Sequence, residues 1–290
     1  MKTLSEELTK LYNEHWGEFM AQLEANRLRD QLQCPFLISL LRSGQKKEER
    51  EKAQENDNDW YAKKETPENE EWYTKADIKI MFFGQETNQW VRDDETERID
   101  VEDLMAEYEN FLDDHYNAID GYFYHEGLKS GNRFLRWGIN GIMDGMKEIL
   151  KDYPGKRVSM IWNELSKLSA RTENGGGPVD STTHQIEKEL FHVIPKEIEI
   201  LKPDILIFLT GPGENLYYQY ILENFTVGKQ IPLGDLPVHD VSKLPIEGVK
   251  LAYKTYHPGM RNTSEAFHWT HYTAILADIK ENIDKLLKKE

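Results

Sequence analysis

Four short apolar runs stand out along the chain, and each stops abruptly at glycine or a polar residue. In the first, Ile78, Ile80, Met81, Phe82 and Phe83 give way to Gly84 and then to the polar string Gln85, Glu86, Thr87 and Asn88. Val158 to Trp162 closes at Asn163, residues 204–211 (DILIFLTG) follow Pro203 and close at Gly211, and Val249 to Tyr256 closes at His257 and Pro258. Runs of this length without alternation predict strands buried on both faces, as in a parallel sheet. Gly84 allows a sharp exit from the first strand and close approach of backbone to a ligand.

Elsewhere the apolar spacing is helical. Leu4, Leu8, Leu11, Tyr12, Phe19 and Leu23 predict an amphipathic helix within residues 3–30, and Leu104, Met105, Tyr108, Phe111 and Leu112 another over 99–112. Phe134, Trp137, Ile142, Met143, Met146 and Ile149 suit a buried helix over 130–150. Ile186, Leu190, Phe191 and Ile194 share a face over 182–197, a helix opens after GPGEN, and a last one spans about 264–288. Phe36 to Leu41 reads as a short helix and residues 175–178 (GGGP) as a loop. Residues 43–71, mostly Lys, Glu, Asp, Asn and Gln, read as an exposed helix or mobile connection.

Helices alternating with short apolar strands predict an α/β fold, a three-layer α/β/α sandwich around a mainly parallel, four-stranded central sheet. Residues 1–75 are expected to form a helical N-terminal extension that includes the charged segment 43–71. Residues 76–290 are expected to form the α/β domain, with an acidic insertion at about 91–128. In open α/β sheets, chemistry sits at the carboxyl ends of the strands, so GQETN, WNELS, TGPGEN and HPGMRN are the stretches to examine.

Composition adds three constraints. At 290 residues, with 39% hydrophobic side chains, the chain is long enough to bury a full core. No apolar stretch reaches membrane-spanning length and the N-terminus is charged, which predicts a soluble cytoplasmic protein without a membrane partner. The single cysteine, Cys34, excludes an internal disulfide and suits a small buried hydrophobe. The net charge of −16 comes from two stretches: residues 93–114 hold eleven acids against one base, and residues 48–71 ten acids against four bases. The remainder is neutral overall, neither repelling a polyanion nor seeking one.

The four strand ends, in this order, resemble the uracil-DNA glycosylase superfamily over roughly residues 76–288. The family's first strand ends in Gly-Gln-Asp-Pro-Tyr, whose acid activates water and supports the cationic sugar. Gly84, Gln85, Glu86, Thr87 and Asn88 occupy the matching positions, so the resemblance assigns catalysis to Glu86 and base contacts to Gln85 and Asn88. Asn163 in MIWNELSKLS matches the asparagine that reads the uracil edge. His257 in TYHPGMRN matches the histidine that donates to the base oxygen, and His271 and Tyr272 resemble the family's His-aromatic pair. Asn88 stands where the family has a tyrosine that excludes the thymine methyl group, and Arg261 where it often has an apolar wedge, with Met260 beside it. Tyr122, Phe123 and Tyr124 are candidates for the stacking aromatic. Trp60, Trp72 and Trp90 suit core or lid packing.

The residue types suit the chemistry. Breaking an N-glycosidic bond creates an oxocarbenium-like sugar and a base anion, so a carboxylate near the sugar and a donor at the base carbonyl stabilise opposite charges. An amide both donates to and accepts from one base edge, and a duplex substrate has to be flipped to reach such a pocket. Read singly, Glu86 also fits a helix cap, Asn163 a loop amide, and His257 a buried histidine beside a rigid proline. Gly211 and Gly213 fit either a phosphate cradle or a plain turn. His184, Glu187 and His192, like His268 and His271, lack a third convergent ligand, so neither metal nor cofactor is expected.

Three functions share the expected fold. A DNA glycosylase acting on uracil or another damaged base would have a local basic groove, built from Lys129, Arg133, Arg136, Lys254 and Arg261, with Met260 at its edge. An enzyme or binding protein for a nucleoside, nucleotide or free base suits the acidic total better. A non-enzymatic regulatory protein would use the acidic stretch 93–114 as its working surface.

Overall fold

The structure is a computed structural model that describes residues 2–42, 67–88, 100–117, 122–123, 132–173 and 175–288. Most of the charged segment 43–71, parts of the acidic insertion, and Trp60, Trp90, Tyr124 and Lys129 lie outside the described residues. In chain order the main elements are α1 (Leu4–Ala25), β1 (Ile78–Gly84), α2 (Val101–His115), a π-helical stretch (Phe134–Ile139) running into α3 (Asn140–Leu150), β2 (Val158–Glu164), α4 (Ser181–Leu190) and α5 (Ile194–Leu201). They continue with β3 (Ile205–Leu209), α6 (Leu216–Asn224), β4 (Ile231–Pro232), β5 (Val241–Lys243), β6 (Leu251–Thr255), α7 (Glu265–Glu281) and α8 (Ile283–Leu287). The chain forms two compact units: Met1–Glu71, Glu86–Tyr116 and Ser166–Leu201 make the first, and Trp72–Gln85, Asn117–Leu165 and Lys202–Glu290 the second.

The second unit holds a six-stranded sheet in the order β2-β1-β3-β6-β5-β4. The four strands expected from the apolar runs are the four that pair in parallel, β2, β1, β3 and β6. The expected count of four is corrected to six, because β5 and β4 add an antiparallel edge. Those two strands have three and two residues, too few to make an apolar run, and β4 is exposed and contains Pro232. Proline is tolerated there because an edge strand can do without one donor.

Helices meet both faces of this sheet. On one face, the Tyr253 hydroxyl donates to Asp278 of α7 at 2.6 Å and Lys243 reaches the same carboxylate at 2.8 Å. Gly145 lets α3 close on α7, since a Cβ there would lie 2.1 Å from Leu276. On the other face Phe83 stacks on Phe208 with centroids 4.9 Å apart, and both rings meet Phe225 at the end of α6.

In the first unit, α1 begins with a capping box formed by Thr3 and Glu6, and the buried Glu70 carboxylate accepts from the N–H groups of Leu4 and Ser5. The Phe19 ring stacks on Phe191 with centroids 4.6 Å apart. The short helix expected over Phe36 to Leu41 is not formed. Residues Gln33 to Leu41 are buried throughout yet belong to no helix or strand. The N–H groups of Gln33 and Phe36 reach the carbonyls of Ser169 and Lys167, and those of Ile38 and Leu40 are met by the Tyr12 hydroxyl and Ser5 Oγ. Side chains from α1 thus supply what a helix would have provided internally, as buried backbone requires. Lys167 and Glu197 form a fully buried ion pair at 2.8 Å, and Tyr12 donates to the same carboxylate.

Three more expectations change in detail. Residues 175–177 are a strand paired with Ala170–Thr172 rather than a loop. The helix expected over 182–197 is two helices, because Phe191 leaves helical geometry after α4 and α5 restarts at Ile194 with Pro195 in its first turn. The last helix divides at Asn282 into α7 and α8. Among the described residues, no helix is long and apolar enough to cross a membrane.

Candidate functional site

The carboxyl ends of β1, β2, β3 and β6 lie side by side in the second unit. Register aligns Asn163, Phe83, Phe208 and Lys254 in one row across the four strands, and Glu164 faces Gly84 one residue further on. Gly84 makes room for Glu164: a Cβ at residue 84 would lie 2.1 Å from Glu164 Oε2, so the carboxylate rests on the bare backbone of β1. Glu164 is buried, and its Oε1 accepts from the Trp162 indole N–H at 2.8 Å. From β1, the Gln85 amide N–H donates to the Thr210 carbonyl at 2.9 Å and ties the exits of β1 and β3 together.

Phe134, at the start of the π-helical stretch, meets Trp162 with centroids 5.9 Å apart and stacks on His257 at 5.6 Å with 20° between the planes. Gly138 brings this stretch close, since a Cβ there would lie 2.7 Å from Leu209 and 2.8 Å from Pro258. Single-turn π geometry is found often at functional sites. The half-buried imidazole of His257 accepts at Nδ1 from the Gly259 N–H, 3.1 Å away. That bond leaves the neutral ring's proton on Nε2. Burial, with a smaller push from His268, lowers the His257 pKa to about 4, so the ring is neutral near pH 7.

Asn163 is fully buried; its Oδ1 accepts from the N–H of Glu164 at 2.8 Å and its Nδ2 lies 3.6 Å from the Met81 sulfur. In the first unit, the half-buried Glu86 is followed by Thr87, which is buried, and by Asn88, whose Oδ1 accepts from the N–H of Gly176 at 2.9 Å. Gly176 has no room for a Cβ, which would lie 2.0 Å from the Thr87 carbonyl oxygen.

The basic residues divide. Arg133 stacks its guanidinium over Trp137 at 4.6 Å, Arg136 is half-buried, and Met260 and Arg261 are exposed on the turn after His257. Lys254, expected in a basic groove, is buried instead: its ammonium donates to the Gly211 carbonyl at 3.1 Å and lies 5.8 Å from the Tyr218 ring. Burial lowers its pKa to about 8, against the opposing pull of Glu214 and Asp240. Gly211 and Gly213 take positive φ, but their N–H groups bond the Thr255 and His239 carbonyls. Phe123, a candidate stacking ring, is fully buried, with its backbone bonded to the Asn140 amide.

Two more histidines stand behind His257 on α7. His268 is fully buried, and burial, with His271 and Arg133 adding, lowers its pKa to about 4. His271 is also lowered by burial, and its Nδ1–H donates to the Phe267 carbonyl at 3.0 Å. Among the described residues, no group of three or more His, Cys, Asp and Glu side chains stands where it could hold a metal ion. Glu187, for example, accepts from the Ser166 hydroxyl and the Lys167 N–H.

Sequence reasoning missed Phe134 and Glu164. Phe134 reads as one more apolar position of a helix, and only the fold brings it to His257. Glu164 had a signal: alternation along β2 puts it on the same face as Trp162. No protein-family model matches the chain, and no curated protein matches it.

Proposed function

We propose that the chain is a uracil-DNA glycosylase-like hydrolase that cuts the N-glycosidic bond of uracil or another damaged base in DNA. The observation behind this is His257, a neutral imidazole at the carboxyl end of the sheet, stacked on Phe134, with its proton on Nε2. As the glycosidic bond breaks, its electron pair goes to the base. An N–H donor at a carbonyl oxygen of the base stabilises the resulting anion. The Phe134 ring offers a flat apolar face for a base taken out of its stack. The resemblance gives the task at the sugar to Glu86, which follows Gln85 in the chain: its carboxylate balances the oxocarbenium charge, orients the water that adds to the sugar carbon and takes the proton this water loses, and the base anion is neutralised by one proton as it leaves.

Oligonucleotides containing uracil, hypoxanthine or a thymine mismatch, single- and double-stranded, test this when incubated with the protein and then cleaved with alkali. Strand scission by the wild type is expected, with loss in both Glu86→Ala and His257→Ala. A folded wild-type protein that leaves every substrate intact at low salt would exclude the DNA reaction. The acidic net charge and the burial of Lys254 favour a second reading, in which the same donor serves a nucleoside or nucleotide. Release of free base from small substrates, without any from DNA, would select it.

A further inference from the structure

The turn after His257 ends in an exposed pair, Met260 and Arg261, and Asn262 takes positive φ immediately behind them. Met260 is held from both sides of its peptide. Its N–H donates to the His257 carbonyl at 3.0 Å, and its carbonyl accepts from the Thr263 hydroxyl at 2.8 Å. Thr263 Oγ1 also lies 3.0 Å from His268 Nε2. A hydroxyl has one proton, and Thr263 uses it on Met260, so the second bond runs the other way: His268 Nε2–H donates to Thr263.

Burial keeps the His268 ring neutral near pH 7, and with its one proton on Nε2 this leaves a bare lone pair on Nδ1. The residue is fully buried, and Nδ1 has no hydrogen-bond partner among the described residues. Such a group is a standing cost that an apolar ring of similar size would avoid. What the imidazole provides in return is the Nε2–H bond. The ring is fixed by Phe267, by Tyr272 at 6.1 Å and 24°, and by Trp137 at 6.3 Å, the indole that Arg133 covers. A rigid, buried donor therefore anchors a turn whose tip is in solvent.

We infer that His268 is a positioning residue that, acting through Thr263, holds the Met260–Arg261 turn in the form that grips a nucleic-acid strand beside the base to be removed. The choice of ligand rests on the function proposed above and on the chemistry of the tip. An exposed thioether side chain beside a guanidinium suits a base face next to a phosphate. His268 touches neither base nor sugar in this scheme; it acts on how the strand is held.

Thr263→Val removes both hydrogen bonds at constant shape, and Thr263→Ser retains them. Amide hydrogen exchange at residues 259–263, measured without ligand, is expected to speed up in the valine variant and to return in the serine variant. On uracil-containing oligonucleotides KM is expected to rise about tenfold in Thr263→Val with kcat within twofold, again restored by serine. His268→Gln, which keeps an N–H donor, should stay nearer the wild type than His268→Phe, which fills the space without one. Unchanged exchange at Met260 in Thr263→Val overturns the proposal, as does a KM that serine does not restore. A wild type that cleaves oligonucleotides while Thr263→Val matches it defeats the positioning role alone. A wild type that neither binds nor cleaves any oligonucleotide defeats both the grip and the DNA reaction.

Discussion

The backbone N–H of Gly259 points at Nδ1 of His257 from 3.1 Å, and that bond decides which nitrogen of the imidazole carries the proton. The same glycine leaves the ring room, since a Cβ on residue 259 would lie 2.9 Å from Nδ1 and Cε1. Gly259→Ala is therefore expected to turn the imidazole while leaving the sheet intact. Base release should fall about a hundredfold, as expected for an angstrom-scale misplacement, with little change in the unfolding midpoint. Nitrogen-15 NMR of the histidine side chains should report an Nε2–H tautomer for His257 in the wild type. An Nδ1–H tautomer would contradict the assignment.

Acid should weaken the second unit. His257 and His268 both have folded-state pKa values near 4, below the ordinary 6.5, so the unfolded chain binds protons first as pH falls. Their contribution to stability is complete above pH 6.5 and is lost as pH falls from 6.5 towards 4. For the fully buried His268 the loss is on the order of 3 kcal/mol at the limit. Urea midpoints at pH 7 and pH 4.5 measure it, and the carbon-bound ring protons of His257 and His268 should show no titration near pH 6.5.

Gly84→Ala would push a methyl group into the Glu164 carboxylate and is expected to destabilise the protein by about 2 kcal/mol, in the range of overpacked cores. Adding Glu164→Ala should recover part of that loss, because the two changes share one volume. Strict additivity in the double-mutant cycle would show that the carboxylate is not what limits residue 84.

Glu197→Ala removes the carboxylate that the buried Lys167 ammonium meets at 2.8 Å and is expected to cost about 3 to 5 kcal/mol. Replacing both partners, Lys167→Met with Glu197→Leu, should cost much less. Tyr12→Phe removes one bond to Glu197 and one to the Ile38 N–H, for a loss of about 1 to 3 kcal/mol. Equilibrium unfolding of the four proteins orders them.

The parallel strands were legible because each combines a continuous apolar run with an abrupt polar stop; Ile78 to Phe83 and residues 204–211 show this most plainly. β4 and β5 were not, because strands of two or three residues take their identity from the neighbour they pair with. The segment Gln33 to Leu41 misled for a related reason. Its apolar composition suits a helix, but its hydrogen bonds come from Tyr12, Ser5 and residues beyond 160, which no local pattern records. At the site, His257 was marked by its place after an apolar run and before Pro258. Phe134 became visible only through the distance to His257, and Lys254 looked like a surface cation until register placed it inward beside Phe208.

The order of the sheet also sets a timetable. β1 lies between β2 and β3, so a nascent chain presents Phe82 and Phe83 with both edges open until Glu164, and then Leu209, have been synthesised. At ordinary elongation rates the first edge stays open for roughly 4 to 16 s and the second for roughly 6 to 25 s. An apolar strand left unpaired for so long is a ready template for the wrong partner. The period of greatest risk for this protein thus falls during translation, after β1 has been made and before the strands that flank it exist.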